Sequence, residues 1–443
     1  MPFDLVLHAA AVYLPEGARE AWVGIRDGVI AEISESPLDG PVTDLAADEV
    51  LIPGIVDTHV HVNEPGRTEW EGFVSATRAA AAGGVTTIID MPLNSVPTTI
   101  TLEALHVKRE VARDKAVVDV GFWGGAVPEN LGNLAEMWEA GVYGFKCFLA
   151  PSGIDEFGHL DPEQLDRALD EIADLEALLI VHAEDPGVLD ANVRDGGTDY
   201  HSFVESRPDA AETTAIQRVI DGVRRTGARA HILHLSSAAA LPMLREAKAE
   251  GLPITVETCP HYLAIVEEQI PDGATQFKCC PPIRNDANRD ALWKALVDGT
   301  IDIVVTDHSP STAELKFSHG GDFQKAWGGI AGLQTGFSAV WTEARRRGIP
   351  FARVVEWMSR STADLVGLGH KGRIEVGADA DLVAYAPEAE FEVHAAELLH
   401  KNPVSAFDGR HLQGIARTTW LAGAPVDRDA TPRGALLSRE QEL

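Results

Sequence analysis

Two histidines one residue apart, His59 and His61 in Asp57-Thr58-His59-Val60-His61, close a run of apolar and β-branched residues. Alternate side chains of a strand share a face, so both imidazoles project the same way from its C-terminal end. Such a pair suits a divalent metal, although by itself it also suits a packed pair. Lys146, His182, His234 and Asp307 stand at or just past the ends of later runs of the same kind. Six groups at one level of several strands point to a metal centre.

A lysine ammonium repels divalent cations and has no lone pair to donate. Lys146 is flanked by Gly144, Phe145, Cys147 and Phe148, and burial there lowers its pKa and leaves a neutral amine. A neutral amine adds carbon dioxide to give a carbamate, an anion able to bridge two metal ions (N6-carboxylysine at Lys146). The other reading of Lys146 is an apolar stem that carries its ammonium to water. Two bridged divalent ions make a hydroxide nucleophilic at neutral pH. Asp307 then serves as a ligand and as the general base that passes a proton to the departing nitrogen. Imidazole, carboxylate and carbamate donors suit zinc first, with manganese, cobalt or iron as alternatives.

The remaining histidines read differently. Strand parity turns His231 and His308 away from the site, whereas His261, in Cys259-Pro260-His261-Tyr262, is placed to support a ligand from behind. Cys147, Cys259, Cys279 and Cys280 show neither CxxC spacing nor a base partner, which argues against thiol catalysis and for a reducing cytoplasm.

The runs that carry these groups recur as short buried strands, predicted at 51–60, 85–90, 117–122, 143–148, 178–182, 230–235, 254–257 and 301–306. Helix-patterned stretches at 102–114, 162–176, 212–226, 238–250 and 289–298 fall between them. Eight strands alternating with helices is the pattern of an α/β (β/α)₈ barrel, whose active sites form at the C-terminal strand ends. An open doubly wound sheet alternates too, but no Gly-rich dinucleotide fingerprint follows the first strand. Alternating segments at 5–11, 21–25 and 29–33 resume at 380–385 and 418–421. Residues 1–52 plus 372–443 are therefore expected to form one small β domain, a β-sandwich, with the barrel at 53–371 inserted, and the last dozen residues to be loosely held.

Acidic residues outnumber basic ones 68 to 37, and the resulting net charge of −31 repels phosphate backbones and anionic membranes. Nucleic acid is excluded as a partner on this ground. There is no basic head before an apolar run, and no stretch of about 18 apolar residues, so neither secretion nor membrane insertion is expected.

The segments 53–61, Gly144-Phe145-Lys146-Cys147-Phe148, His234-Leu235-Ser236-Ser237 and Thr306-Asp307-His308-Ser309-Pro310 resemble those of the cyclic amidohydrolases. That family holds dihydroorotases, hydantoinases, dihydropyrimidinases and allantoinases. The resemblance spans nearly the whole chain and implies a binuclear centre on His59, His61, carboxylated Lys146, His182, His234 and Asp307, in a homotetramer. Dihydroorotases carry an arginine two residues after the HxH pair, where Asn63 stands here. Hydantoinases and dihydropyrimidinases carry a tyrosine five residues after the lysine, where Pro151 stands. Residues 61–67, 70–72, 91–94, 278–284 and 325–334 instead resemble the allantoinase branch, with Ser311 a small departure from its pattern. That branch implies a small-molecule substrate, allantoin, opened to allantoate in purine catabolism. It also places substrate contacts near Asn94, the backbone of Cys280 and the loop at Gly329. Ser152 is the candidate replacement for the missing tyrosine, and a turn-capping role competes for Asn94. A hydantoinase-type enzyme and a catalytically silent scaffold are the alternative functions; the six retained ligands argue against the scaffold.

Overall fold

Ile55–Val60 and Val85–Asp90 are buried along their whole length, which a strand tolerates when both its faces are covered, as in a parallel sheet wrapped by helices. The computed structural model describes residues 2–427 and 431–439. In it the strands Ile55–Val60, Val85–Asp90 and Asp119–Phe122 pair in parallel, as do Phe145–Phe148, Leu178–His182, Arg229–Ile232, Ile254–Thr258 and Ile303–Val304. Gly124–Gly125 continues the third strand and joins it to the fourth. The ring closes where His61 N–H donates to His308 O at 2.8 Å and His308 N–H to His59 O at 3.3 Å. The protein is thus a (β/α)₈ barrel with a β domain attached.

The helix after the fourth strand shows how one face is buried against the barrel. Pro162–Asp174 begins with a reciprocal capping box between Asp161 and Gln164 and buries Leu165, Ala168, Leu169 and Ile172. Their spacing of three and four residues makes the stripe that faces the strands. Each fully buried Leu or Ile contributes about 1.5–3 kcal/mol.

The eight-stranded second sheet runs in the order Ala424–Val426, His411–Leu421, Leu382–Glu392, Val50–Pro53, Leu5–Leu14, Gly17–Arg26 and Val29–Ser34, with Val42–Asp44 beside Leu5–Leu14. The two ends of the chain therefore do meet in one sheet. The run expected as a single strand at 51–60 is two strands. Val50–Pro53 pairs with Leu382–Glu392, and Gly54 hands the chain over to the barrel. A Cβ at Gly54 would lie 2.1 Å from the Thr86 hydroxyl, so only glycine fits this crossing. Beneath it, Lys371 Nζ donates to Asp119 of the barrel at 2.7 Å and to Asp379 and Asp381 at 2.8 and 2.7 Å.

The expectation of a loosely held tail is corrected for residues 431–439. Leu436 bridges to Val120, Leu437 N–H donates to Val120 O at 2.8 Å, and Arg439 stacks over Trp138. Residues 440–443 lie outside the described residues. No helix among the described residues is long and apolar enough to cross a membrane.

Candidate metal centre and active site

All ten residues singled out from the sequence line one cavity of about 350 Å³ at the C-terminal mouth of the barrel: His59, His61, Asn94, Lys146, Ser152, His182, His234, Cys280, Asp307 and Gly329. Their elements explain the convergence. Lys146 lies within the short strand Phe145–Phe148, and the other five donor groups lie at or within three residues of the C-terminal end of a barrel strand, where the strands diverge into loops. His234 and Asp307 lie just beyond their strands with φ of 34° and 44°, and Asn94 follows its strand with φ of 63°. Left-handed backbone at non-glycine residues costs of order 1–3 kcal/mol and collects at functional sites.

The donors form two groups. His59 Nε2 and His61 Nε2 lie 3.1 and 3.5 Å from the same Asp307 oxygen, and the three side chains make a cluster suited to one cation. On the other side, His182 Nδ1 faces His234 Nε2 at 3.0 Å. Lys146 is buried at the same cavity, its Nζ 4.4 Å from the centre of the Phe148 ring.

Electrostatics favour a cation here. Burial opposes charge on His59, but Asp307 and Glu257 outweigh it and raise the imidazole to about 9. His61, with burial dominant, is lowered to about 4 and stays neutral. Two carboxylates around His59 call for positive charge, which a divalent ion supplies while leaving His59 Nε2 free to ligate. That nitrogen is buried and faces the Asp307 oxygen 3.1 Å away without the geometry of a hydrogen bond, so the donor set fits a metal. Burial lowers Lys146 to about 8 against the pull of Asp307 and Glu257, in the direction that yields a neutral amine. Burial pushes Cys147 up to about 12, consistent with an inert thiol.

Sequence reasoning missed three carboxylates that orient these ligands. Glu257 Oε1 lies 2.5 Å from His59 Nδ1 and accepts the His234 N–H at 3.0 Å, while Oε2 lies 3.0 Å from His231 Nε2. Asp57 accepts from His59 N–H at 3.1 Å and from the Thr306 hydroxyl at 2.6 Å, tying the first strand to the last. Glu184 lies 2.8 Å from His182 Nε2. Carboxylates on the non-ligating nitrogens fix imidazole tautomer and ring orientation. The expected placement of His231 away from the site is corrected by its bond to Glu257. Strand parity was carried past Ile232, where the regular strand ends. His308 does point away, toward Glu71 at 3.3 Å. His261 is buried with no partner on Nε2 and shares a cluster with Cys259 and Asp307.

The substrate-side residues divide. The Asn94 amide donates to Asn63 at 3.1 Å and lies 3.5 Å from His61 Nδ1. The Ser152 hydroxyl donates within its own loop, to Phe157 O at 2.6 Å, so its proton is already used and the carbonyl-donor role expected of it is not supported. Gly329 N–H donates to Lys278 O at 2.9 Å and its carbonyl accepts from buried Lys316. A Cβ there would meet Ser309 O at 2.2 Å. Gly329 therefore seats the loop against the cavity and offers it little beyond its Cα.

The model of the amidohydrolase family matches residues 50–426. The chain is 56% identical to an allantoinase of Streptomyces avermitilis over 99% of both chains. It is 44% identical to an allantoinase of Saccharomyces cerevisiae, over 87% of this chain and 86% of that one. Among solved structures it resembles an L-hydantoinase (dihydropyrimidinase) from Arthrobacter aurescens with a TM-score of 0.92 at 30% identity, and a dihydropyrimidinase from Brevibacillus agri with a TM-score of 0.89 at 29% identity, each over 98% of both chains. Barrel, donor set and relatives agree: the chain belongs to the amidohydrolase family, and its full-length sequence relatives lie among the allantoinases.

Proposed function

We propose that this chain hydrolyses the five-membered ring of allantoin to allantoate. The observation that carries the reading is the 56% identity to an allantoinase over 99% of both chains, in a chain whose cavity gathers all six donor groups. In this reading His59, His61 and Asp307 would hold one divalent ion, His182 and His234 would hold a second, and Lys146, carboxylated by carbon dioxide, would be the ligand common to both. Zinc is the expected metal. Bound there, divalent ions would supply a hydroxide nucleophile at neutral pH and polarisation of the scissile carbonyl.

The chain's own residues do the rest. Asp307 takes the proton released as the attacking oxygen bonds to the carbonyl carbon, then gives it to the ring nitrogen as the C–N bond breaks. The products are a carboxylate and a ureido –NH₂, so the proton balance closes on one side chain. Asn94 and the backbone at Cys280 hold the ring and its ureido substituent, and the Gly329 loop walls the cavity. A cytoplasmic homotetramer completes the reading; its support is resemblance to the cyclic amidohydrolases, and sedimentation of the purified protein tests it.

Incubating the purified protein with allantoin, dihydroorotate, dihydrouracil and hydantoin decides the substrate. Allantoin is expected to turn over fastest. Strong turnover of any of the other three without allantoin would overturn the assignment in favour of a hydantoinase or dihydropyrimidinase.

A further inference from the structure

Arg207 terminates the helix Tyr200–Ser206 and lines the same cavity. Its Nε and Nη2 donate to the two oxygens of Glu184 at 2.9 and 2.6 Å, a bidentate grip that fixes the carboxylate plane. Glu184 in turn lies 2.8 Å from His182 Nε2, which leaves His182 Nδ1 directed at His234 Nε2, 3.0 Å away. The Arg207 carbonyl accepts from Arg284 at 3.1 Å, and Arg284 donates to Glu212 at 2.9 Å. The second oxygen of Glu212 accepts from the N–H groups of Ser236 and Ser237, each at 3.0 Å, just past His234. A single arginine thus joins two buried chains of bonds, one ending on the His182 imidazole and the other on the backbone just past His234.

The other half rests on carboxylates that Arg207 does not touch, although Glu257 is shared, since it also accepts the His234 N–H at 3.0 Å. His59 rests on Glu257, and Asp57 ties its strand to Thr306. Arg207 has no hydrogen bond to Glu257 or Asp57 among those of the described residues.

We propose that Arg207 is a positioning residue for the His182/His234 half of the metal centre alone: through Glu184 it selects Nδ1 of His182 as the ligating atom, and through its carbonyl it steadies the turn that carries His234. The inference rests on the binuclear reading above and is independent of the substrate. Lysine, a point charge, grips one oxygen where arginine grips two.

The test is ion retention by the metal-loaded protein. Wild type, Arg207→Met, Arg207→Lys and Glu184→Gln are dialysed against a graded metal chelator, and metal per chain is measured by elemental analysis alongside thermal unfolding. Arg207→Met is expected to release one of two ions at a free-metal level about 10- to 100-fold higher than wild type does. The other ion should be retained as in wild type, with Arg207→Lys intermediate. Should Arg207→Met not fold, Glu184→Gln carries the same expectation. Unchanged retention of both ions, or parallel loss of both, would overturn the proposal. Fewer than two ions in wild type would overturn it together with the binuclear reading, whereas two ions without allantoin turnover would sink only the substrate assignment.

Discussion

His59 Nδ1 lies 2.5 Å from Glu257 Oε1, across 198 residues of sequence. The contact crosses the barrel interior and sets which imidazole nitrogen is presented to Asp307. Glu257 also receives His231 and the His234 N–H, so one carboxylate serves three partners. Glu257→Gln keeps the size and loses the charge. It is expected to weaken metal binding at the His59 half about 10- to 100-fold, with activity partly restored by excess metal. Elemental analysis and activity at graded metal concentrations check this; wild-type metal affinity in the variant would contradict it.

Lys146→Ala is expected to abolish turnover and to lose the bridge between the ions, with partial recovery on adding short carboxylic acids. Near-normal turnover without them would count against the carbamate. Burial lowers the Lys146 amine to about 8, so its neutral, carbon-dioxide-reactive form grows as pH rises through 8 and is scarce at pH about 6. Reactivation of metal-stripped protein with metal and bicarbonate should therefore be faster at pH 8 than at pH 6. Equal rates would remove the buried amine from the account.

Asp307→Asn removes the base and keeps a ligand oxygen. The expected loss is about 10²- to 10⁴-fold in kcat, with metal content less reduced than in His59→Ala. Surviving activity would place proton transfer on another group.

Lys371 is a cation held by three carboxylates at the junction of barrel and sheet domain. Burial opposes its charge, yet Asp381, Asp119 and Asp379 together raise its pKa above the lysine range. A raised folded value means that its contribution is fully present below the ordinary lysine pKa and is lost only as pH rises beyond it. Lys371→Met strands those carboxylates and is expected to cost about 3–5 kcal/mol at neutral pH. Thermal unfolding measures the loss, and a melting temperature equal to wild type would contradict the pinning role.

The donor residues were legible because they sit at the ends of buried apolar runs, a pattern set by the barrel itself. Glu257 and Glu184 were not, since a lone carboxylate in a strand or loop carries no spacing that names its partner across the barrel. His231 was misplaced because parity holds only while the strand lasts, and His234 already lies in left-handed backbone. Ser152 was matched to a role by position alone, and position does not reveal that Phe157 O already holds its proton. The tail at 431–439 has too few apolar residues to announce an element, yet Leu436 and Leu437 find Val120.

On the proposed reading, six side chains gather a pair of ions. Anomalous diffraction from crystals of the metal-loaded protein tests it most directly. Two peaks are expected, one among His59, His61 and Asp307 and one between His182 and His234, with continuous density joining both to an extended Lys146. A single peak, or an unmodified Lys146 pointing away from the ions, would contradict it.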